Sequence, residues 1–415
     1  MVQDRKRKIF YGYIVVGAGF LVSLFIWGSY NTFGIFFKPI SSEFVWTRAM
    51  TSGAQSLAFF MFGVTSIFAG RLTDRFGPRV VLVSCGLFLG LGFLLMSQVH
   101  SLWQFYIFYG LIMGAGMSGA ETPVLATIAR WFTSKRGMLI GVVKTGASVG
   151  ILLAPLFANW LISEHGWRMA YIVIGGIAMV GVVSAALFFK RDPTEVGQLP
   201  YGAAKTAETE LNMDEPQFSL QKIVRMRQFW LLAVAYFLHL FCAQGVVLAH
   251  IAPHVTDLGI STTVAASIVG TIGGASIIGR IAMGSLCDRL GNKRTVLISL
   301  SLLVVSMVLL LFARQPWMFY LFALLEGLAH GGVFTVIVPL LAELFGLRSL
   351  GATFGLVIFV GTIGGGLGPF LAGYIFDVTG SYQPVFLLCL AASIIAITLV
   401  SVLRPTSAKR ITGNT

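Results

Sequence analysis

Glu121, Lys144, His250, His254, Asp257, Arg280, Glu326 and His330 all stand inside long apolar stretches of this sequence. Ionisable groups surrounded by hydrocarbon are costly, so they face a cavity or one another and mark function. Arg280 lies eight residues before Asp288, which places it about 12 Å along a helix from the loop that carries that aspartate. It stays charged there, and its planar fork fits a carboxylate through two parallel hydrogen bonds. Two chemistries are open to it: anchoring an anionic ligand, or a permanent ion pair with an inward-facing acid such as Asp257.

His250, His254 and Asp257 recur at i, i+4 and i+7, one face near the end of an apolar segment. Such a stripe can relay protons or form a polar rim touching water. As a metal site it is disfavoured by an open mouth and by Pro253 in the helix. Glu121, followed by Thr122 and Pro123, serves either as a proton site or as the partner of Lys144, whose long stem also allows it to snorkel to the membrane surface. Glu326 and His330 share a helix face and read as structural or gating contacts. The run Gly361 to Gly366 lacks the Lys-Ser/Thr of a phosphate loop and suits close helix packing, as do Gly146, Gly150 and Pro155 and their counterparts Gly365 and Pro369. No catalytic triad, nucleotide motif or metal cluster stands out, so neither enzymatic activity nor a cofactor or metal is expected.

The elements that must position these residues are membrane spans. Hydrophobic residues make up 56% of the chain and charged ones 11%, a balance that leaves too little charge for a soluble surface. Apolar windows about twenty residues long, enough to cross roughly 30 Å of hydrocarbon, are expected at 11–37, 49–70, 79–99, 102–129, 137–162 and 169–190. A second set is expected at 226–257, 261–286, 293–313, 317–342, 350–376 and 382–404. The first window is too long for a secretory leader and lacks a small-residue cleavage site, so it reads as an uncleaved span. The net charge of +13 comes from Lys and Arg concentrated on one side of these spans: Arg5 to Lys8 and the clusters near Arg75, Arg136, Arg225, Lys293 and the tail. Lys38, Arg48, Arg168 and Arg314 fall on the other side. This asymmetry predicts an inner (plasma) membrane protein with both termini cytoplasmic, partnered by the lipid bilayer, and argues against nucleic-acid binding. Cys85, Cys242, Cys287 and Cys389 are unpaired in spacing and read as buried thiols.

The segment Gly70-Arg-Leu-Thr-Asp74-Arg75-Phe-Gly77-Pro-Arg recurs as Gly284-Ser-Leu-Cys-Asp288-Arg289-Leu-Gly291-Asn-Lys, and Pro155 and Gly166 return at the same offset as Pro369 and Gly380. Duplication of a six-span unit predicts two bundles related by an axis along the membrane normal, with a cavity between them. The expected domains are 1–190 and 226–415, joined by a polar cytoplasmic linker, 191–225, whose end from Phe218 to Phe229 has a surface-helix pattern. In both loops the Asp can cap a helix, and with Arg75 and Arg289 it can form charge pairs that hold the bundles closed.

The motif G-x-L-x-D-R-x-G-x-R in two copies resembles the hallmark of the major facilitator superfamily, over the whole chain. That resemblance implies an all-α membrane fold of twelve transmembrane helices in two pseudo-symmetric six-helix bundles. Within it, Trp131-Phe-Thr-Ser-Lys-Arg136-Gly-Met-Leu-Ile-Gly141, continuing to Gly146-Ala-Ser-Val-Gly150, is similar to the signature of monocarboxylate transporters, as is Gly28 to Lys38. Arg280 matches that family's substrate-binding arginine. The likeness implies proton-coupled symport of a short monocarboxylate anion such as L-lactate or pyruvate, by alternating access. Two positions depart from it: Ser276 replaces an acid one turn before Arg280, and Asn31 replaces a proton-linked lysine. The proton is therefore expected on Asp257, with Glu121 second and His250 beside them; Asn31 and Tyr30, and more weakly Tyr374 and Tyr382, are expected to line the path. Exchange of organic anions, of the oxalate–formate type, is the alternative, although the cation that those exchangers carry is missing between Phe354 and Phe370. A third class, a sensor that binds acids without carrying them, would need an output segment that the residues after Arg404 do not supply.

Overall fold

A computed structural model of the chain describes residues 10–132, 136–202, 218–346 and 350–404, and among these no strand forms. Ten continuous helical stretches are long and apolar enough to cross a membrane. One of them runs past Gly166, whose φ of 79° ends one helix and starts another. It therefore supplies two crossings, and the interrupted segment 102–131 supplies one more, which gives twelve. They are α1 (Gly12–Phe44), α2 (Arg48–Phe76), α3 (Pro78–Met96), α4 (102–131), α5 (136–165) and α6 (167–186). The second set is α7 (Arg227–Asp257), α8 (Thr262–Leu290), α9 (Asn292–Phe312), α10 (Pro316–Phe345), α11 (Leu350–Thr379) and α12 (Gln383–Ser401).

Each half has its own apolar core. Ile26, Phe36, Phe93, Tyr109 and Tyr171 belong to the first, and Leu240, Leu303, Phe322, Val336 and Phe386 to the second. Leu87, Phe88, Val180, Phe312 and Leu387 are exposed, as expected of side chains that meet lipid. The repeat is visible in the termini of α2 and α8. Thr47 and its counterpart Ser261 cap the first turns, accepting from the amides of Met50 and Val264. Gly77 (φ 84°) and Gly291 (φ 85°) end the helices in a backbone region that L side chains rarely adopt.

Three crossings are not regular. α1 is interrupted at Asn31 and Thr32, and α7 widens to a π-helix over Phe241–Val247. α4 passes through a π-helix (Tyr106–Met113) and a 3-10 turn (Met117–Ala120) before Glu121 leaves helical geometry at φ −112°, ψ −82°. Irregular backbone at membrane depth is tolerated where it is buried in protein or lines a water-filled path.

α2 and α8 extend beyond the windows expected from hydropathy, because their polar ends project past the hydrocarbon as far as the Gly77 and Gly291 turns. The surface-helix pattern near Phe218 forms only the short helix Leu220–Val224, after which α7 begins at Arg227. The basic run Arg5 to Lys8, the acidic run Glu208 to Glu215 and the tail beyond Arg404 lie outside the described residues. The halves meet along three pairs of crossings: α2 with α11, α5 with α8, and α1 with α7.

Candidate transport site

Arg280 projects from α8 at the seam between the halves. The backbone of α10 lies directly behind it: a Cβ on Gly331 would come within 2.2 Å of the Ser276 carbonyl oxygen, so these two helices can touch only through glycine. The Arg280 Nε donates to Ser148 Oγ of α5 at 3.0 Å, and Ser276 Oγ lies 2.7 Å from the same oxygen. Its guanidinium carbon is 5.6 Å from the centre of the Phe334 ring. Among the described residues Arg280 enters no ion pair. One serine oxygen satisfies one of its donors and leaves the terminal fork for an anion.

The acids expected nearby are engaged elsewhere. Glu121 binds Lys144 in an ion pair inside the first half, so Lys144 points inward to a partner instead of snorkelling to the surface. Glu121 still acts electrostatically on Arg280, and both act on Tyr236 of α7. Asp257 lies at the far end of α7, with Lys38 Nζ at 2.7 Å and Arg48 at 2.6 Å. The permanent Arg280–Asp257 pair that the sequence leaves open is therefore not formed.

Asp257 belongs to a clasp that joins the halves. Arg48 also donates to the Tyr382 hydroxyl at 2.6 Å and sits 3.7 Å above the Phe376 ring. Asp377, at the end of α11, accepts from the Arg48 and Ala49 amides at 2.9 and 2.8 Å, capping α2 across the seam. His250 takes part through both ring nitrogens, 2.9 Å from the Tyr382 hydroxyl and 2.9 Å from the Pro369 carbonyl oxygen. Because that carbonyl only accepts, Nε2 carries the hydrogen and Nδ1 accepts from the tyrosine. His254 packs edge-on against Tyr382 and Phe386.

Lys38, Arg48 and Asp377 were not recognised in the sequence as partners of this stripe. The repeat holds the signal. Glu43 occupies in the first half the place of Asp257 in the second, and it binds Trp167 and Arg168 of its own half, each at 2.6 Å. The counterpart of Arg168 is Tyr382, which offers no charge, so Asp257 turns to cations of the other half.

Asn31 lies at the seam, its side-chain oxygen accepting from Gln244 at 3.1 Å where α1 and α7 are both irregular. Tyr30 is buried in the first half; its hydroxyl faces Gln55 without a hydrogen bond of normal geometry. Tyr374 is exposed. Asp74 pairs with Arg130 at 2.6 Å, and Arg75 is exposed beside the Phe76 ring. That charge pair ties α2 to α4 within one half, where a lock between the bundles was expected. Arg289 is exposed, and the Asp288 side chain lies outside the described residues.

The contacts between halves run from the clasp down to Arg280–Ser148 and to Gly63 against Thr362. Beyond that depth, Gly137 and Gly141 on α5 and Gly351 and Gly355 on α11 have nothing within 4 Å of where a Cβ would stand. Among the described residues the side-chain contacts that join the halves lie on the Arg48 side and at the depth of Arg280 and Gly63, and these four glycines mark no contact on the Asp74 side.

The profile of the Major Facilitator Superfamily matches residues 19–281 and again 240–415, across both halves. The chain belongs to the Major Facilitator Superfamily. As a superfamily member it is a multi-pass membrane transporter and not an enzyme. It is 28% identical over 396 residues to monocarboxylate transporter 13 of Bos taurus, covering 94% of this chain and 89% of that one. It is 25% identical over 395 residues to monocarboxylate transporter 2 of Homo sapiens, covering 91% and 82%. A D-xylose–proton symporter shares the fold at a TM-score of 0.77 and 14% identity, covering 95% of this chain and 98% of that one. A bacterial homologue of the human lysosomal transporter Spinster, in an inward-facing and occupied conformation, gives 0.71 and 16%, covering 97% of each chain.

Proposed function

We propose that this superfamily member carries short monocarboxylate anions, L-lactate or pyruvate, together with a proton, by alternating access across the cytoplasmic membrane. The observation that supports this reading is Arg280: a half-buried charge at the seam, oriented through one nitrogen by Ser148 and paired with no acid among the described residues. A carboxylate fills its remaining fork with charge-assisted bonds. One such cation favours a monoanion, because a second negative charge would enter the site uncompensated. The monocarboxylate transporters among the relatives support the same cargo.

In this reading the Asp74 side is cytoplasmic, as the basic residues there suggest, and the molecule faces inward. Residues 1–190 and 226–415 are the rocking units and 191–225 the linker. Arg280 holds the anion, and Asn31 and Tyr30 line the seam or support it. The clasp at Asp257 and His250 is the external gate, while Asp74, Arg75, Asp288 and Arg289 belong to the internal one.

The test is uptake of radiolabelled L-lactate and pyruvate into proteoliposomes with an imposed pH gradient. Uptake should rise as external pH falls, ignore membrane potential, and vanish in a folded Arg280→Ala protein. Uptake that persists in that variant removes Arg280 from the site, and uptake indifferent to pH but accelerated by trapped substrate replaces symport with exchange.

A further inference from the structure

We infer that the proton carried with the anion is held by a pair of histidines buried in the second half, His239 of α7 and His330 of α10. This inference rests on the proposed symport. Each of the proton groups expected from sequence is already engaged: Asp257 with two cations, Glu121 with Lys144, and His250 through both nitrogens. A proton added to any of them must displace an existing partner. His239 and His330 differ. Both are buried, their ring centroids are 5.6 Å apart, and among the described residues both nitrogens of His239 and Nδ1 of His330 have no hydrogen-bond partner. Unpartnered polar atoms are uncommon in protein interiors and each calls for an explanation, and two facing imidazoles are able to take a proton without giving up a partner.

The pair is placed to sense the anion site. Phe334 packs 4.8 Å from His330 and 5.6 Å from the Arg280 guanidinium, so a single ring separates them. Tyr236, one turn before His239, packs edge-on against the same ring and lies within the field of both Arg280 and Glu121. The other neighbours are Glu326 on the His330 face, held by Ser306 of α9 at 2.8 Å, and Cys389 of α12 near Glu326. α11 meets α7 here through Gly361 and Gly364 and brings no titratable group.

The coupling follows from charge. With its fork empty, Arg280 repels a proton on the pair; a bound carboxylate cancels that charge and the proton becomes favourable. At a separation of roughly 10 Å and an effective dielectric near 20, one unit charge changes a binding constant roughly ten- to twentyfold. By reciprocity the proton strengthens anion binding by the same factor. Anion and proton therefore favour each other's entry and exit, with no residue shuttling between them.

The test uses purified full-length protein in weakly buffered detergent with a pH dye, and L-lactate and pyruvate as probes. Wild type should take up at most about half a proton per bound anion, raising the pH of the medium, and its affinity should weaken roughly ten- to twentyfold between about pH 5 and 8. H239N/H330N should bind with an affinity flat in pH and take up no proton; if that protein does not fold, H330N alone gives the same readouts. Proton uptake retained in the folded variant overturns the histidine pair while leaving the cargo intact. Failure of wild type to bind any short monocarboxylate overturns the cargo, and the coupling with it.

Discussion

Asp257→Asn should loosen the closed face, by an amount that follows from the geometry of the clasp. The carboxylate meets Lys38 at 2.7 Å and Arg48 at 2.6 Å, with side-chain exposures of 26% for Asp257, 36% for Lys38 and 18% for Arg48. Exposed pairs are worth roughly 0.2–1 kcal/mol after solvent screening, which applies to the Lys38 contact. The more sheltered Arg48 contact is a charge-assisted hydrogen bond and sits toward the upper end of that range. Together they hold the clasp by about 1–2 kcal/mol, so their loss should shift the closed-to-open ratio on this face about five- to thirtyfold. The shift is partial because Asp377 still caps α2 across the seam. Spin labels at Ser42 and Val378, both exposed and in opposite halves, read it by pulsed electron resonance as growth of a longer-distance population. Raising the salt to about 0.5 M should move wild type part of the way and leave the variant unchanged, since screening acts on the contacts the variant lacks. A folded variant with the wild-type distance distribution at both salt concentrations would refute the assignment of Asp257 to the gate.

Three further outcomes follow from named contacts. Arg280→Lys keeps the charge but loses the fork, and L-lactate affinity measured by calorimetry should fall about 10- to 100-fold. Glu121→Gln and Lys144→Met each leave a charge without its partner where both side chains are mostly buried, so each should lower the thermal midpoint in detergent by an amount equivalent to about 3 kcal/mol, with most of it regained in the double variant. Full loss in the double variant would mean that the pair has no mutual role. Gly77→Ala and Gly291→Ala force a side chain into φ near +84°, and each should cost about 1–3 kcal/mol of stability by the same thermal assay.

Spans and repeat were legible because they depend on composition and periodicity, which burial in lipid enforces along the whole chain. Arg280 was legible for a related reason: a fixed charge at that depth in an apolar helix has few purposes. The partners of the polar residues were not. Lys38 and Arg48 read as solvated charges because nothing local shows that α1 and α2 end beside α7 and α11. The breaks in α1 and α7 carry no proline at Asn31 or within Phe241–Val247, so the strongest local signal of a broken helix is missing from both. His239 drew no notice as a single histidine in an apolar run; only the approach of α10 makes it half of a pair.

The departures from symmetry are where the two halves divide the work. In the first half Glu43 is satisfied at home by Trp167 and Arg168, and Glu121 by Lys144, so the charges that half presents at the seam are the cations Lys38 and Arg48. In the second half Tyr382 stands in place of the Arg168 counterpart, which frees Asp257 to reach across, and Arg280 has a serine in place of an acid. An unsettled charge within a rigid bundle costs stability and does nothing. Placed at the seam, the same charge is settled only by the opposite bundle or by a passenger, so its energy depends on which face is open and what is bound. That dependence is what a carrier needs, since a ligand shifts a conformational equilibrium only by its difference in affinity for the two states.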